Sequence, residues 1–239
     1  ASGSGASVNP INRELDDDFK ALATAITTPD WRQRNDAVRQ LVELVESKAS
    51  QVRRSRHAVG AFDLLAQRIA DGNSKVSVSA LQAVSRIVPV LHDTVADAGA
   101  CNVIVPALCN ALASANSAVR SGTEGALLTL ERATDHAILF PIMANVAHYG
   151  SARVRVPLLE MLAQMVHHAE MPRPQLLVRH ILPLSMRLLD ESKADVKAAN
   201  GKLLSALQGS LGNTLVDEAT KLNGANYHKL RTSFPDLVQ

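Results

Sequence analysis

Apolar and polar positions along this chain follow the period of an α-helix, and the helical stretches recur. Five segments share one layout, a short polar turn followed by an amphipathic stretch. They open at Asp30-Trp31-Arg32-Gln33-Arg34, Asn73-Ser74-Lys75-Val76, Asn116-Ser117-Ala118-Val119, Ser151-Ala152-Arg153-Val154 and Lys193-Ala194-Asp195-Val196. With Val76, Val119, Val154 and Val196 as anchors, and Arg34 in the corresponding place, the segments are spaced by 42, 43, 35 and 42 residues. Seven and eight residues past the anchors stand apolar pairs: Leu41 and Val42, Ala83 and Val84, Ala126 and Leu127, Met161 and Leu162, Leu203 and Leu204. That spacing puts them on the anchor's side of a helix, so each stretch carries one buried face.

Spacings of about 40–47 residues belong to helical repeats of the HEAT and armadillo kind. Each periodic stretch then supplies the inner helix of a pair. Outer helices fit between them at about 12–27, 56–70, 101–113, 135–148 and 174–189, and residues 211–238 supply a sixth, atypical pair. The expected fold is all-α, an α-solenoid of about six HEAT-type helix pairs, forming a single domain over residues 10–238. Asp30, Ser74, Ser117 and Ser192 stand at or beside the N-caps. Asp71-Gly72-Asn73 and Tyr149-Gly150-Ser151 read as breakers. Pro106, Pro141 and Pro183 fall inside outer helices and predict bends or late starts. Pro157 predicts that the fourth inner helix begins near Arg155 or Val156.

Composition supports this picture. Aromatics make up 3% of the 239 residues and apolar residues 46%, so the core is built from Ala, Leu, Val and Ile. The formal charge of +2 is too balanced to argue for nucleic acid. Cys101 and Cys109 share one predicted helix, which argues against a disulfide framework. No apolar run reaches the length of a membrane span, and no signal peptide is visible. Residues 1–9, rich in Gly and Ser, read as a flexible linker or an expression remnant.

In a stack of helix pairs the turns inside each pair line up along one edge, and loops on a rigid scaffold are where binding residues collect. That edge carries Trp31, Arg32, Lys75, Arg120, Arg153, Arg155, Lys193 and Lys197, with Asp30, Asp71, Asp190, Glu191 and Asp195 among them. The modest basic excess, reinforced by helix N-termini, suits an acidic protein partner. Trp31 is the only tryptophan. It reads either as a cap folded over the first repeat or as an aromatic anchor at an interface.

The run Asp30-Trp31-Arg32-Gln33-Arg34-Asn35-Asp36-Ala37-Val38 resembles the opening loop and helix of TOG domains, the tubulin-binding HEAT arrays of microtubule polymerases, CLASP-type factors and the Crescerin group. Asn116-Ser117-Ala118-Val119-Arg120 and Ala194-Asp195-Val196-Lys197 are similar to the family's later loop-to-helix transitions. The resemblance covers roughly residues 10–238. It implies a tubulin- or microtubule-binding module that engages the αβ-tubulin dimer or the lattice and regulates microtubule dynamics. Arg32 and Asn116 belong to the implied contact set; by position, Trp31, Asn73 and Lys75 would face β-tubulin. Arg120 would lie between, and Arg153, Arg155, Lys193 and Lys197 would face α-tubulin. It further implies a monomeric domain within a larger cytoplasmic protein at microtubules, the centrosome or the cilium, without nucleic-acid or membrane contact. The third turn has no charge before Arg120, and acidic residues dilute the fifth.

A generic HEAT adaptor, binding a partner on its concave helical face, is the alternative. No phosphate-binding glycine loop or nucleophile elbow occurs, and no catalytic residue, cofactor or metal is expected. Glu124 and Glu160 are the nearest candidates for a catalytic carboxylate and lack a basic companion set. His167 and His168 are adjacent and lack metal-ligand spacing. Asp16-Asp17-Asp18 reads as a first-turn charge cluster, and Arg53-Arg54-Ser55-Arg56 as a solvated linker.

Overall fold

In a computed structural model of the chain, residues 10–96, 98–168 and 173–237 are described, and the expected linker at 1–9 lies outside them. Among the described residues the regular structure is helical throughout. The helices are α1 (Pro10–Ala25), α2 (Trp31–Ser47), α3 (Ala49–Arg53), α4 (His57–Ile69), α5 (Ser74–Val90), α6 (His92–Val95), α7 (Ala98–Ala111) and α8 (Ser117–Ala133). They continue as α9 (His136–Tyr149), α10 (Ala152–His168), α11 (Pro174–Leu176), α12 (Leu182–Arg187), α13 (Ala194–Leu211), α14 (Thr214–Leu222) and α15 (Ala225–Ser233).

The chain divides into two compact units. The first takes the described residues up to Ala111 together with Asn116–Thr134, and the second takes Leu112–Ala115 with those from Asp135 onward. In the first unit α1 pairs with α2, α4 with α5 and α7 with α8. The inner helices α2, α5 and α8 pack in sequence, and α4 packs on α7. In the second unit α9 pairs with α10, the segmented outer helix with α13, and α14 with α15; α10 and α13 pack extensively. The all-α fold of stacked helix pairs is therefore the one the periodicity predicts.

The breadth of each apolar face matches the number of neighbours. In α2 the buried stripe is Ala37, Val38, Leu41, Val42 and Val45. In α5, packed between α2 and α8, it widens to include Val76, Ala80, Leu81, Ala83, Val84, Ile87 and Val88. A buried leucine or valine contributes about 1.5–3 kcal/mol, so the wider stripe is what holds three inner helices together. Close approach is also built in: a Cβ at Gly122 of α8 would come 3.3 Å from the Leu81 side chain.

The cap residues correct the register of the first repeat. Asp30, Asn73 and Asn116 are the N-caps of α2, α5 and α8, so Ser74 and Ser117 are the first helical residues. Counted from the caps, Gln33 stands where Val76 and Val119 stand. Arg34 aligns instead with Ser77, Arg120, Arg155 and Lys197, the fourth residues of their helices.

Of the prolines, only Pro157 departs from expectation. α7 and α9 run through Pro106 and Pro141. α10 begins at Ala152, not near Arg155, and continues through Pro157. Its first turn is closed by the Val154 and Arg155 N–H groups on the Ser151 carbonyl, at 3.0 and 2.9 Å. Burial of Leu158, Leu159 and Leu162 carries the helix past the one bond that Pro157 forfeits. Ahead of Pro183 the outer helix widens into a π-turn over Leu177–Ile181, where the Leu182 N–H donates to the Leu177 carbonyl. Pro183 then falls in the first turn of α12, where its missing N–H leaves little unpaired. At the α9–α10 turn a Cβ on Gly150 would sit 2.7 Å from the Val146 carbonyl oxygen, which only glycine avoids.

Cys101 and Cys109 are both buried on α7, and burial pushes the Cys109 thiol up to about 12. At about pH 8 the folded protein should react with a disulfide reagent such as DTNB at least about a hundredfold more slowly than the guanidinium-unfolded chain. Fast labelling of the native state would contradict this packing.

Candidate functional site

The turn edge of the first unit is set by three caps of one design. The Asp30 carboxylate accepts the Arg32 N–H at 2.9 Å, and the Asn73 side-chain oxygen accepts the Lys75 N–H at 3.0 Å. The Asn116 oxygen accepts from Ala118 and Val119 at 2.9 and 3.3 Å. Asn73 and Asn116, expected as contact residues, are thus engaged as caps that aim their turns.

Trp31 is the first residue of α2, and its ring is half-buried. The Arg32 guanidinium lies 4.9 Å and the Lys75 ammonium 5.1 Å from the ring centroid, both in cation–π range. Arg32 and Lys75 are themselves exposed. The first two turns therefore meet, as the repeat pattern predicts. Trp31 is neither a buried cap nor a free anchor; it is an aromatic surface with two cations against it.

Three residues on, Arg34 clamps the two turns. Its Nη1 donates to the Thr28 and Pro29 carbonyls at 2.8 Å, while Nε and Nη2 hold the Asp71 carboxylate at 2.8 Å each. Asp71 also accepts from Arg68 at 3.1 Å and from the Asn73 N–H at 2.9 Å. Its side chain is 2% exposed. Burial alone would raise its pKa, but the Arg34 hydrogen bonds, the Asn73 N–H and the charges of Arg34 and Arg68 outweigh burial, and the carboxyl titrates below its usual range. Lys75 is thereby placed by an arginine from the preceding repeat.

The second unit repeats the device. Arg155 donates to the Ala147 and His148 carbonyls at 2.9 Å and to Glu191 at 2.9 Å. The other Glu191 oxygen accepts the Ser192 and Lys193 N–H groups at 2.9 and 3.4 Å. The Lys193 and Ser192 N–H groups, then Arg155 and Lys193, hold the Glu191 carboxyl below its usual range. Arg155, expected to contact a partner, is therefore engaged inside its own unit. Asp190 pairs with Lys229 at 2.6 Å. Two of the acids that dilute the fifth turn are thus neutralised within the fold. Lys193 and Lys197 are exposed, and among the described residues no carboxylate lies within ion-pair distance of them. Arg153 is exposed and donates to the Ala113 carbonyl at 2.9 Å. Arg120 is half-exposed at the fourth position of α8.

Sequence reasoning missed both clamps, although a signal existed. A basic residue at the fourth helical position is followed 37 or 36 residues later by an acid in the next turn, as Arg34–Asp71 and Arg155–Glu191.

Other sequence readings are corrected by the packing. Asp16, Asp17 and Asp18 lie in the middle of α1, not in its first turn. Asp16 meets His57 at 2.5 Å and Arg56 at 3.4 Å, and Asp18 meets Lys48 at 2.8 Å, so two of the three pair with neighbouring helices. Arg53 closes α3 and donates to the Val90 carbonyl at 2.6 Å, while Arg53, Arg54 and Arg56 are all exposed, as the reading of this run as a solvated linker expects. Glu160 pairs with Lys202 at 2.5 Å. Among the described residues no group of three or more His, Cys, Asp or Glu could hold a metal ion, and no helix is long and apolar enough to cross a membrane.

No protein-family model matches the chain. Among curated proteins, the TOG array regulator of axonemal microtubules protein 1 of Homo sapiens and that of Mus musculus are each 23% identical over 211 residues. The match covers 84% of this chain, which spans 12% of the length of either relative. A solved structure concerning TOG–tubulin binding specificity in microtubule dynamics and mitotic spindle formation superposes with a TM-score of 0.74 at 17% identity, over 99% of this chain and 90% of its own. A structure of Crescerin, which uses a TOG domain array to regulate microtubules in the primary cilium, gives 0.69 at 18% identity, over 90% of this chain and 88% of its own. The TOG domain of C. elegans Zyg9 gives 0.69 at 15% identity, over 97% and 90%. The chain has the TOG-domain fold.

Proposed function

We propose that this chain, folded as a TOG domain, is a non-catalytic tubulin-binding module in which residues 10–238 act together. It engages the αβ-tubulin dimer or the microtubule lattice through the turns that start its inner helices, and so regulates microtubule dynamics. The observation that carries this reading is the Trp31 indole at the turn edge with Arg32 and Lys75 against its ring. Trp31, Arg32 and Lys75 serve β-tubulin, Arg120 lies between, and Arg153, Lys193 and Lys197 serve α-tubulin. Asn73, Asn116 and Arg155 shape the turns. The module works as a monomer within a larger microtubule-associated protein, a reading supported by the axonemal and ciliary relatives.

The inner-helix face gives less support to a generic adaptor. Two charge pairs there join adjacent helices, Glu46 with Arg86 at 2.6 Å and Glu160 with Lys202 at 2.5 Å, and these offer little net field to a partner. The exposed lysines of the fifth turn offer more.

Binding to purified αβ-tubulin and to microtubules, by sedimentation velocity and co-pelleting, tests the proposal. The double variant Lys193→Glu, Lys197→Glu should bind at least about tenfold more weakly at low salt, with the difference shrinking as salt rises. Failure of the wild type to bind either form of tubulin, or equal binding by the variant, would sink the reading.

A further inference from the structure

Two adjoining cavities open along α9 in the second unit, and Arg155 and Ser192 of the turn edge line the smaller one. One, of about 430 Å³, is lined by Pro141, His148, Tyr149, His180, Pro183 and Arg187, among others. The other, of about 290 Å³, shares His148 and Arg187 and ends at Asp190 and Glu191. Neither Arg153, Lys193 nor Lys197 lines them.

Three observations point to a ligand. Tyr149 is 78% exposed, far more than is usual for an aromatic ring, and His148 sits edge-on to it at 4.4 Å. Arg187 is exposed with no carboxylate of the described residues in ion-pair range, and Arg179 beside His180 is the same. The acids at the far end are already neutralised, Asp190 by Lys229 and Glu191 by Arg155 and two N–H groups. The groove therefore holds uncompensated positive charge beside an apolar shelf. The imidazoles register it: burial, then Arg187 and Arg155, lower the His148 pKa, and burial, then Arg179, lowers that of His180.

We propose that this groove binds an acidic peptide segment. Its carboxylates meet Arg187 and the two imidazoles, and an apolar or proline residue rests on Tyr149, Pro141 and Pro183. A bidentate carboxylate suits the Arg187 fork. Nucleic acid suits the groove less, because one aromatic ring gives no stacking series. The proposal does not rest on the tubulin reading.

The test is fluorescence anisotropy of the whole chain with a labelled hexaglutamate peptide, its hexaglutamine counterpart and a single-stranded oligothymidylate. Hexaglutamate should bind and hexaglutamine should not. Arg187→Glu should weaken binding at least about tenfold while Arg187→Lys retains most of it. Because Arg187 is exposed, the melting temperature should not move. Lys193→Glu with Lys197→Glu should weaken peptide binding far less than Arg187→Glu does, which separates this groove from the turn edge. Affinity should rise as pH falls through the ordinary histidine value of about 6.5 and below, since both imidazoles are lowered in the free protein and a bound carboxylate favours the imidazolium. The charged groups around His148 are Arg155, Arg187, Asp190 and Glu191, and beside His180 stands Arg179. Equal binding of hexaglutamine, tighter binding of the oligonucleotide, or indifference to Arg187→Glu would overturn the proposal.

Discussion

Replacing Trp31 by alanine should weaken tubulin binding by about 30-fold or more, the loss typical when a central aromatic anchor is truncated. The reason lies in how the ring is held. An indole fixed at the first position of α2 loses little freedom on binding, and Arg32 and Lys75 stand against it before any partner arrives. Truncation removes the aromatic surface and releases both cations from it. Because the ring is only half-buried, the melting temperature should fall by no more than about 3 °C. Trp31→Phe keeps an apolar face and should fall between the two. Calorimetric titration with tubulin, paired with thermal unfolding, separates lost contact from lost fold. Wild-type affinity in Trp31→Ala would remove the first turn from the interface.

Asp71→Ala should lower the melting temperature by roughly 5–10 °C, because it strands Arg34 against two turns with its fork unfilled. The same change frees the Asn73 N–H and should blunt tubulin binding through Lys75. Replacing both partners, Arg34→Met with Asp71→Leu, should cost less than Asp71→Ala alone, since the more buried Arg34 is no longer stranded and only Arg68 loses its carboxylate. The pH dependence follows from the direction of the shift. The folded carboxyl titrates below its usual value of about 4. Its contribution is therefore full above that value and is lost as pH falls through the lower, folded pKa. Asp71→Asn should flatten the acid limb of the stability curve. An unchanged acid limb would show that the clamp contributes nothing.

How much was legible in the sequence can be judged from particular residues. The inner helices begin within a residue or two of where the polar turns place them, because cap chemistry and a period of 3.6 are local properties. The register of Arg34 is off by one position in the sequence pattern, which places Asp30, Ser74 and Ser117 only at or beside their caps; the cap hydrogen bonds of Asp30, Asn73 and Asn116 fix it. The local cost of Pro157 predicts a later start for α10, whereas the burial that offsets this cost is a tertiary property. The charge of the fifth turn was misjudged because Asp190 and Glu191 find partners 39 and 36 residues away.

The sequence by itself determined the all-α repeat, the place of each turn and the likeness to TOG domains, since all three are written in short-range pattern. Only the tertiary structure decided which charges on those turns face outward. That choice depends on pairing across repeats: Arg34 and Arg155 are drawn inward by acids in the next turn, while Lys75 is held at the Trp31 ring and Lys193 and Lys197 stay exposed. A side chain's partner some forty residues away is set by how helices stack, and no local pattern encodes it.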